Sequence, residues 1–185
     1  MTALNPEATG GVTAVGGASR RQALAAAGIA AGGATSVATA GTASASEVAR
    51  PLMEPTLSSA QAQRVLEAAE RAARRAGVAV FIVVVDDCGD LKAASRGDGN
   101  SRASLTLAPL KAATAVAFRI STATLASRTT DPVRAQSLLA AGFTLLGGGV
   151  PLTVEAQVVG AIGVGGGTPD QDVQIAEAGA AALRP

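Results

Sequence analysis

The 185-residue sequence has no His, Trp or Tyr and a single Cys. Without imidazole, no Ser-His-Asp triad, Cys-His dyad or His-ligated metal site can be assembled. One cysteine excludes a disulfide framework within the chain. Charged residues make up 16% of the sequence and aromatics 2%, with a formal net charge of +1, so a basic nucleic-acid surface with stacking rings is excluded as well. What is abundant is small: 44 Ala and 22 Gly leave more than a third of the chain with little or no side chain.

The first quarter reads as a removable leader. Ser19-Arg20-Arg21-Gln22-Ala23-Leu24 precedes a weakly apolar stretch, and Ala43-Ser44-Ala45 gives a small-x-small cleavage pattern. Paired arginines, an apolar region and an Ala-x-Ala end resemble a twin-arginine export signal. Residues 1–45 are therefore expected to be cleaved and the protein to be secreted, extracellular or cell-wall associated. Gly28, Gly32, Gly33 and several Ser and Thr dilute the stretch, so no permanent membrane span is expected. Removing residues 1–45 takes away Arg20, Arg21 and Glu7 and leaves 13 basic and 13 acidic residues. A neutral mature chain of this size argues for one core and against an electrostatic nucleic-acid role.

Residues 46–56, with Pro51 and Pro55, read as a linker, and 57–185 as one domain. Ser58 and Gln61 form a capping-box pair, Val65, Leu66, Ala69, Ala72 and Ala73 follow helical spacing, and Gly77 suits a C-cap. Val78–Val85 is an unbroken apolar run that predicts a strand covered on both faces. Asp86-Asp87-Cys88-Gly89-Asp90 is a turn, and Leu91–Arg96 its hairpin partner. Leu105–Phe118 predicts a helix in which Pro109 is tolerable only near the first turn. Asp131-Pro132 opens another helix that Gly142 closes. Phe143–Leu146, Pro151–Val154 and Val158–Val164 predict strands, with a turn at Glu155-Ala156-Gln157. Thr168-Pro169-Asp170-Gln171 caps a final helix running through Leu183. Strands and helices without regular alternation predict an α+β fold with a mainly antiparallel sheet.

Candidate chemistry is sparse. Gly147-Gly148-Gly149 and Gly163-Val164-Gly165-Gly166-Gly167-Thr168 match neither a Rossmann fingerprint nor a P-loop. A glycine run that ends at a helix start offers backbone N–H groups to an anion, and equally permits tight turns and close packing. Glu67 and Glu70, three apart on the first helix, are placed to share a cation or to lie on a solvated face. Asp86, Asp87 and Asp90 fit turn chemistry, and Asp170 and Asp172 suit a first helical turn. Lys111 and Thr114 are helical neighbours on an otherwise small and apolar segment, lining a pocket, meeting solvent or capping a neighbouring loop, and the residues alone favour the last two. Acidic neighbours oppose thiolate formation at Cys88.

Taken in order, Val78–Val85 followed by Asp86, Lys111-Ala112-Ala113-Thr114-Ala115, Gly147–Leu152 and Val159–Asp172 resemble the GlcG/HbpS family of haem-binding proteins. The resemblance spans roughly residues 57–184. It implies a sheet of about five antiparallel strands flanked by helices, a homo-oligomer and haem as cofactor. For some members it implies work beside a membrane sensor kinase in redox or iron sensing. It places Lys111 and Thr114 near the ligand pocket, beside the loops that hold Gly148, Gly149, Gly166, Gly167 and Thr168. The expected function is an exported haem-binding or haem-sensing protein rather than an enzyme. The alternative is a protein or enzyme acting on a short hydroxy acid such as glycolate, with Lys111 and backbone N–H groups on the carboxylate. Members that ligate haem through histidine have no counterpart here. Met53 lies in the linker and Cys88 among acids, which leaves Thr114, water or Lys111 as weak ligands and Lys111 as a propionate partner. Weak, high-spin haem is the expectation.

Overall fold

The computed structural model describes residues 55–183. The expected leader, and the expected linker through residue 54, lie outside the described residues. Helix α1 (Ser59–Ala76) begins as its sequence dictates: the Ser58 hydroxyl accepts from the Gln61 N–H, and the Gln61 side chain accepts from the Ser58 N–H. Gly77 ends it in the left-handed conformation. The Val78 N–H is spent on the Ala73 carbonyl in that closure, so strand β1 starts later than the apolar run, at Phe81–Asp86. Strand β2 (Leu91–Arg96) returns as the expected hairpin partner.

Helix α2 spans Ser104–Phe118, which puts Pro109 beyond the first turn, yet the helix runs on through it. A short helix α3 (Thr122–Arg128), not anticipated from the sequence, is capped by Ser121, whose hydroxyl accepts from the Thr124 N–H. Helix α4 (Pro132–Ala140) follows the Asp131 cap and none of its residues is buried. Strands β3 (Gly149–Val154) and β4 (Gln157–Gly165) form a hairpin. Glu155 and Ala156 both take positive φ at its tip, as a two-residue turn between twisted strands requires. Helix α5 (Pro169–Ala180) carries the Thr168/Gln171 capping box and ends in a 3₁₀ turn at Ala181–Leu183.

The described strands make one antiparallel sheet of order β2-β1-β4-β3, four rather than about five. The missing strand is Phe143–Leu146. Its N–H groups turn elsewhere than to a neighbouring strand: Phe143 donates to the Leu138 carbonyl, Thr144 to Thr114 Oγ1 and Leu146 to Thr144 Oγ1. The Phe143 ring packs edge-on against Phe118 at 4.9 Å between centroids.

Helices α1 and α5 cover one face of the sheet, where Val65, Leu66, Ala69 and Ile175 meet Ile82, Val84, Leu152, Ile162 and Val164. Helix α2 covers the other, with Ala108, Ala112, Ala115 and Val116 against Val83, Val85 and Ala161. Strand β1 is thus buried on both faces, as its continuous apolar run requires. The α2 side is built from Ala because β4 offers glycine there. A Cβ at Gly163 would come within 3.0 Å of the Ala108 carbonyl, the Ala112 nitrogen and the Ala112 methyl. Helix and sheet therefore approach at backbone distance, and that proximity puts the third turn of α2 beside the end of β4 and the start of α5. No helix among the described residues is long and apolar enough to cross a membrane.

Candidate functional site

Lys111 leaves α2 on the face that meets the sheet and is 3% exposed. Its ammonium donates to Asp172 Oδ2 at 2.6 Å and to the Val164 carbonyl at 2.9 Å. Asp172, in the first turn of α5 and also 3% exposed, accepts from the Gly167 N–H through its other oxygen at 2.9 Å. A buried pair of this kind persists only when the remaining donors and acceptors are met, and here β4, the glycine loop and α5 each contribute. Glycine makes the space. A Cβ at Gly148 would lie 2.7 Å from Asp172 Cβ, 2.8 Å from the Val164 oxygen and 3.0 Å from Lys111 Nζ. Gly148 also holds φ +113, a conformation that other residues seldom adopt.

A cavity of about 180 Å³ opens onto this pair, lined by Ser101, Ser104, Leu107, Leu146, Gly166 and Gly167 among others. The Ser101 and Ser104 hydroxyls are hydrogen-bonded to each other at 3.0 Å, and Ser104 is buried. Leu146, 45% exposed, stands at the mouth.

The expected site residues separate into three groups. Lys111, Gly166 and Gly167 line the cavity and Gly148 packs directly against Lys111, so the two glycine loops do converge on the lysine. Asp172 joins them, although its sequence position looked like ordinary first-turn acid. A buried partner 61 residues away leaves no local pattern to read. Thr114, Gly149 and Thr168 serve the scaffold. Thr114 is fully buried, donates to the Leu110 carbonyl and accepts from the Thr144 N–H. The Gly149 N–H donates to Thr122 Oγ1, and the Thr168 hydroxyl caps α5. Glu67 and Glu70 form the third group, each with its own partner. Glu67 accepts from Gln63 and lies 3.9 Å from Arg71; Glu70 accepts from the Ser95 hydroxyl and lies 3.7 Å from Arg74. The solvent-facing alternative for Lys111 is overturned by its burial and by the ion pair.

The acidic turn is a separate cluster. Asp86 Oδ1 accepts from the Cys88 and Asp90 N–H groups, which is turn chemistry. Beside it the Cys88 thiol is pushed above its ordinary value, mainly by the Asp87 carboxylate, then by desolvation and by Asp86 and Asp90. The exposed cysteine therefore stays a thiol at neutral pH, as its acidic neighbours predict.

Residues 57–181 match the family described as haem degrading protein, HbpS-like. The chain is similar to the crystal structure of a Glu-to-Asp double mutant of HbpS from Streptomyces reticuli, at 34% identity and a TM-score of 0.68 over 87% of this chain and 99% of that one. It is similar to PduOC, solved as a haem complex, at 31% identity and a TM-score of 0.64 over 70% of this chain and 96% of that one. An uncharacterised 15.0 kDa protein of Citrobacter freundii, encoded between dhaT and dhaS, is 33% identical over 129 residues, 66% of this chain and 88% of that protein.

Proposed function

The chain belongs to the HbpS-like family, and on that premise we propose that it is an exported, homo-oligomeric protein that binds haem weakly and serves a redox or iron sensor system. The observation that carries this reading is the similarity, over nearly the whole length of the relative, to a protein solved with haem bound.

A porphyrin would be held at the mouth of the Lys111 cavity rather than enclosed within it. At about 180 Å³ the cavity is smaller than the roughly 300–1,000 Å³ of sites that enclose drug-sized ligands. Leu146 and the half-buried Leu107 offer apolar surface at that mouth. Among the described residues iron finds no strong protein ligand there. His and Tyr are absent, the Cys88 thiol is held protonated, and the Thr114 hydroxyl is committed to Leu110 and Thr144. When bound, haem supplies a redox-active iron; the chain supplies an apolar shelf and, if Asp172 releases it, the Lys111 ammonium for a propionate. Titration with ferric haem should give a high-spin spectrum, and Leu146→Asp should abolish it by placing charge under the porphyrin. No spectral change with the unaltered chain would remove the proposal.

Helix α4 supports self-association. Isolated helices shorter than about 12–15 residues are marginal in water. This one has nine residues, none buried, with Val133 72% and Leu139 55% exposed. A second copy covering it would supply the missing burial. Light scattering should give a mass above that of a dimer; one monomer mass at micromolar concentration would contradict it. Export rests on Arg20-Arg21 and Ala43-Ser44-Ala45. Replacing both arginines with lysine should retain the protein inside the cell, and unchanged extracellular levels would exclude the twin-arginine route. A carboxylate substrate, the alternative of a short hydroxy acid, would have to displace Asp172 from Lys111 or sit beside it as a second anion.

A further inference from the structure

The full chain has 15 basic residues, and only two of them, Lys92 and Lys111, are lysine. A purely structural ion pair is well served by arginine, whose fork binds a carboxylate in two-pronged fashion and never loses its proton. Yet the one lysine buried against a cavity is Lys111, at the site where Gly148 spares its amine a Cβ that would stand 3.0 Å away. Its head is 2.6 Å from a carboxylate able to take a proton. Two of its three N–H groups are committed, to Asp172 and Val164, and the cavity wall includes the lysine itself. A cavity of about 180 Å³ has room for roughly six waters, or a compound of a few non-hydrogen atoms. Leu107 and Leu146 would meet its carbon chain, and the Ser101–Ser104 hydroxyl pair a polar end.

We propose that Lys111 is an amine site that condenses reversibly with a short, uncharged aldehyde. Asp172 takes a proton from the Lys111 ammonium, and the freed lone pair forms a C–N bond to the carbonyl carbon. The C=O π pair moves to oxygen, which receives the proton back from Asp172, giving a carbinolamine. Asp172 next takes a second proton from nitrogen and hands it to the hydroxyl, which leaves as water while the nitrogen lone pair closes the C=N bond. The sum is ammonium plus aldehyde to iminium plus water, with no net proton and no redox change. The iminium keeps its positive charge and one N–H for the Asp172 carboxylate. An uncharged substrate is required because a carboxylate on it would meet Asp172 as a like charge. This inference is independent of haem.

The test is reductive trapping of the full-length chain with propanal and cyanoborohydride at neutral pH, with adducts at Lys92 and Lys111 quantified by peptide mass spectrometry. Positioning and proton transfer by Asp172 should make Lys111 label at least about tenfold faster than Lys92 in the folded chain. In guanidinium the two rates should become equal, and Asp172→Asn should lower Lys111 labelling while leaving Lys92 unchanged. The ratio in the unaltered chain decides the matter even if that variant does not fold. Lys111 labelling equal to or slower than Lys92 in the folded state would overturn the proposal, because a merely structural buried lysine is shielded.

Discussion

Asp172→Ala is expected to cost about 3–5 kcal/mol, because it strands the Lys111 ammonium in a buried site without its counter-charge. Domains of this size have a total stability of roughly 5–15 kcal/mol, so the variant should lie close to unfolding. In thermal denaturation the loss should appear as a Tm lower by on the order of 10–20 °C. The Gly167 N–H loses its acceptor in the same stroke, which loosens the loop that starts α5. The pair need not be net stabilising against an apolar replacement: Lys111→Met with Asp172→Leu should recover most of the loss. A single variant that costs less than about 1 kcal/mol would mean that water reaches the lysine and that the pair is not buried.

The second large effect is expected at Gly163. This residue pairs with Val83 on one side and Gly149 on the other, at the centre of the sheet. A methyl group there enters the backbone of α2 at Ala108 and Ala112, which no rotamer change relieves. Helix α2 would have to move off the sheet, opening the layer that Ala108, Ala112 and Ala115 close against Val83 and Val85. Gly163→Ala should therefore cost about 3 kcal/mol or more, and also disturb Lys111, which lies between those two residues. Gly165→Ala, two residues on in the same strand, is the control. Its added Cβ meets its nearest atom at 3.5 Å, an ordinary contact, so urea unfolding should show a change of about 1 kcal/mol or less. Equal costs at the two positions would refute the close-approach account.

The parts of the fold that were legible are those fixed by local chemistry. Ser58 with Gln61, Asp131, and Thr168 with Gln171 mark helix starts because their side chains satisfy N–H groups two or three residues away, and Pro132 suits the first helical position by its fixed φ. Strand β1 was legible because a short apolar run rich in β-branched residues fits a strand buried on both faces. The failures have the opposite cause. Helix α3 is built from Thr122-Ala-Thr-Leu-Ala-Ser-Arg128, where Thr and Ser weaken helix propensity and tertiary packing of Thr122 and Leu125 decides the outcome. Phe143–Leu146 has the composition of a strand, but Thr114 and Thr144 side chains take its backbone donors. At the site, the approach of Lys111 to two glycine loops was legible from the resemblance. Its partner Asp172 was not, because the pairing depends on how α5 packs beside α2 and carries no sequence signature.

We propose that haem rests on the open apolar shelf at Leu107 and Leu146, with no strong ligand to its iron among the described residues. The rate at which ferric haem passes from the mature protein to excess apomyoglobin tests it most directly. Fast, single-phase transfer from a high-spin complex is the predicted result. A low-spin complex that releases haem only over hours would contradict it, since slow loss needs both an axial ligand and an enclosing pocket.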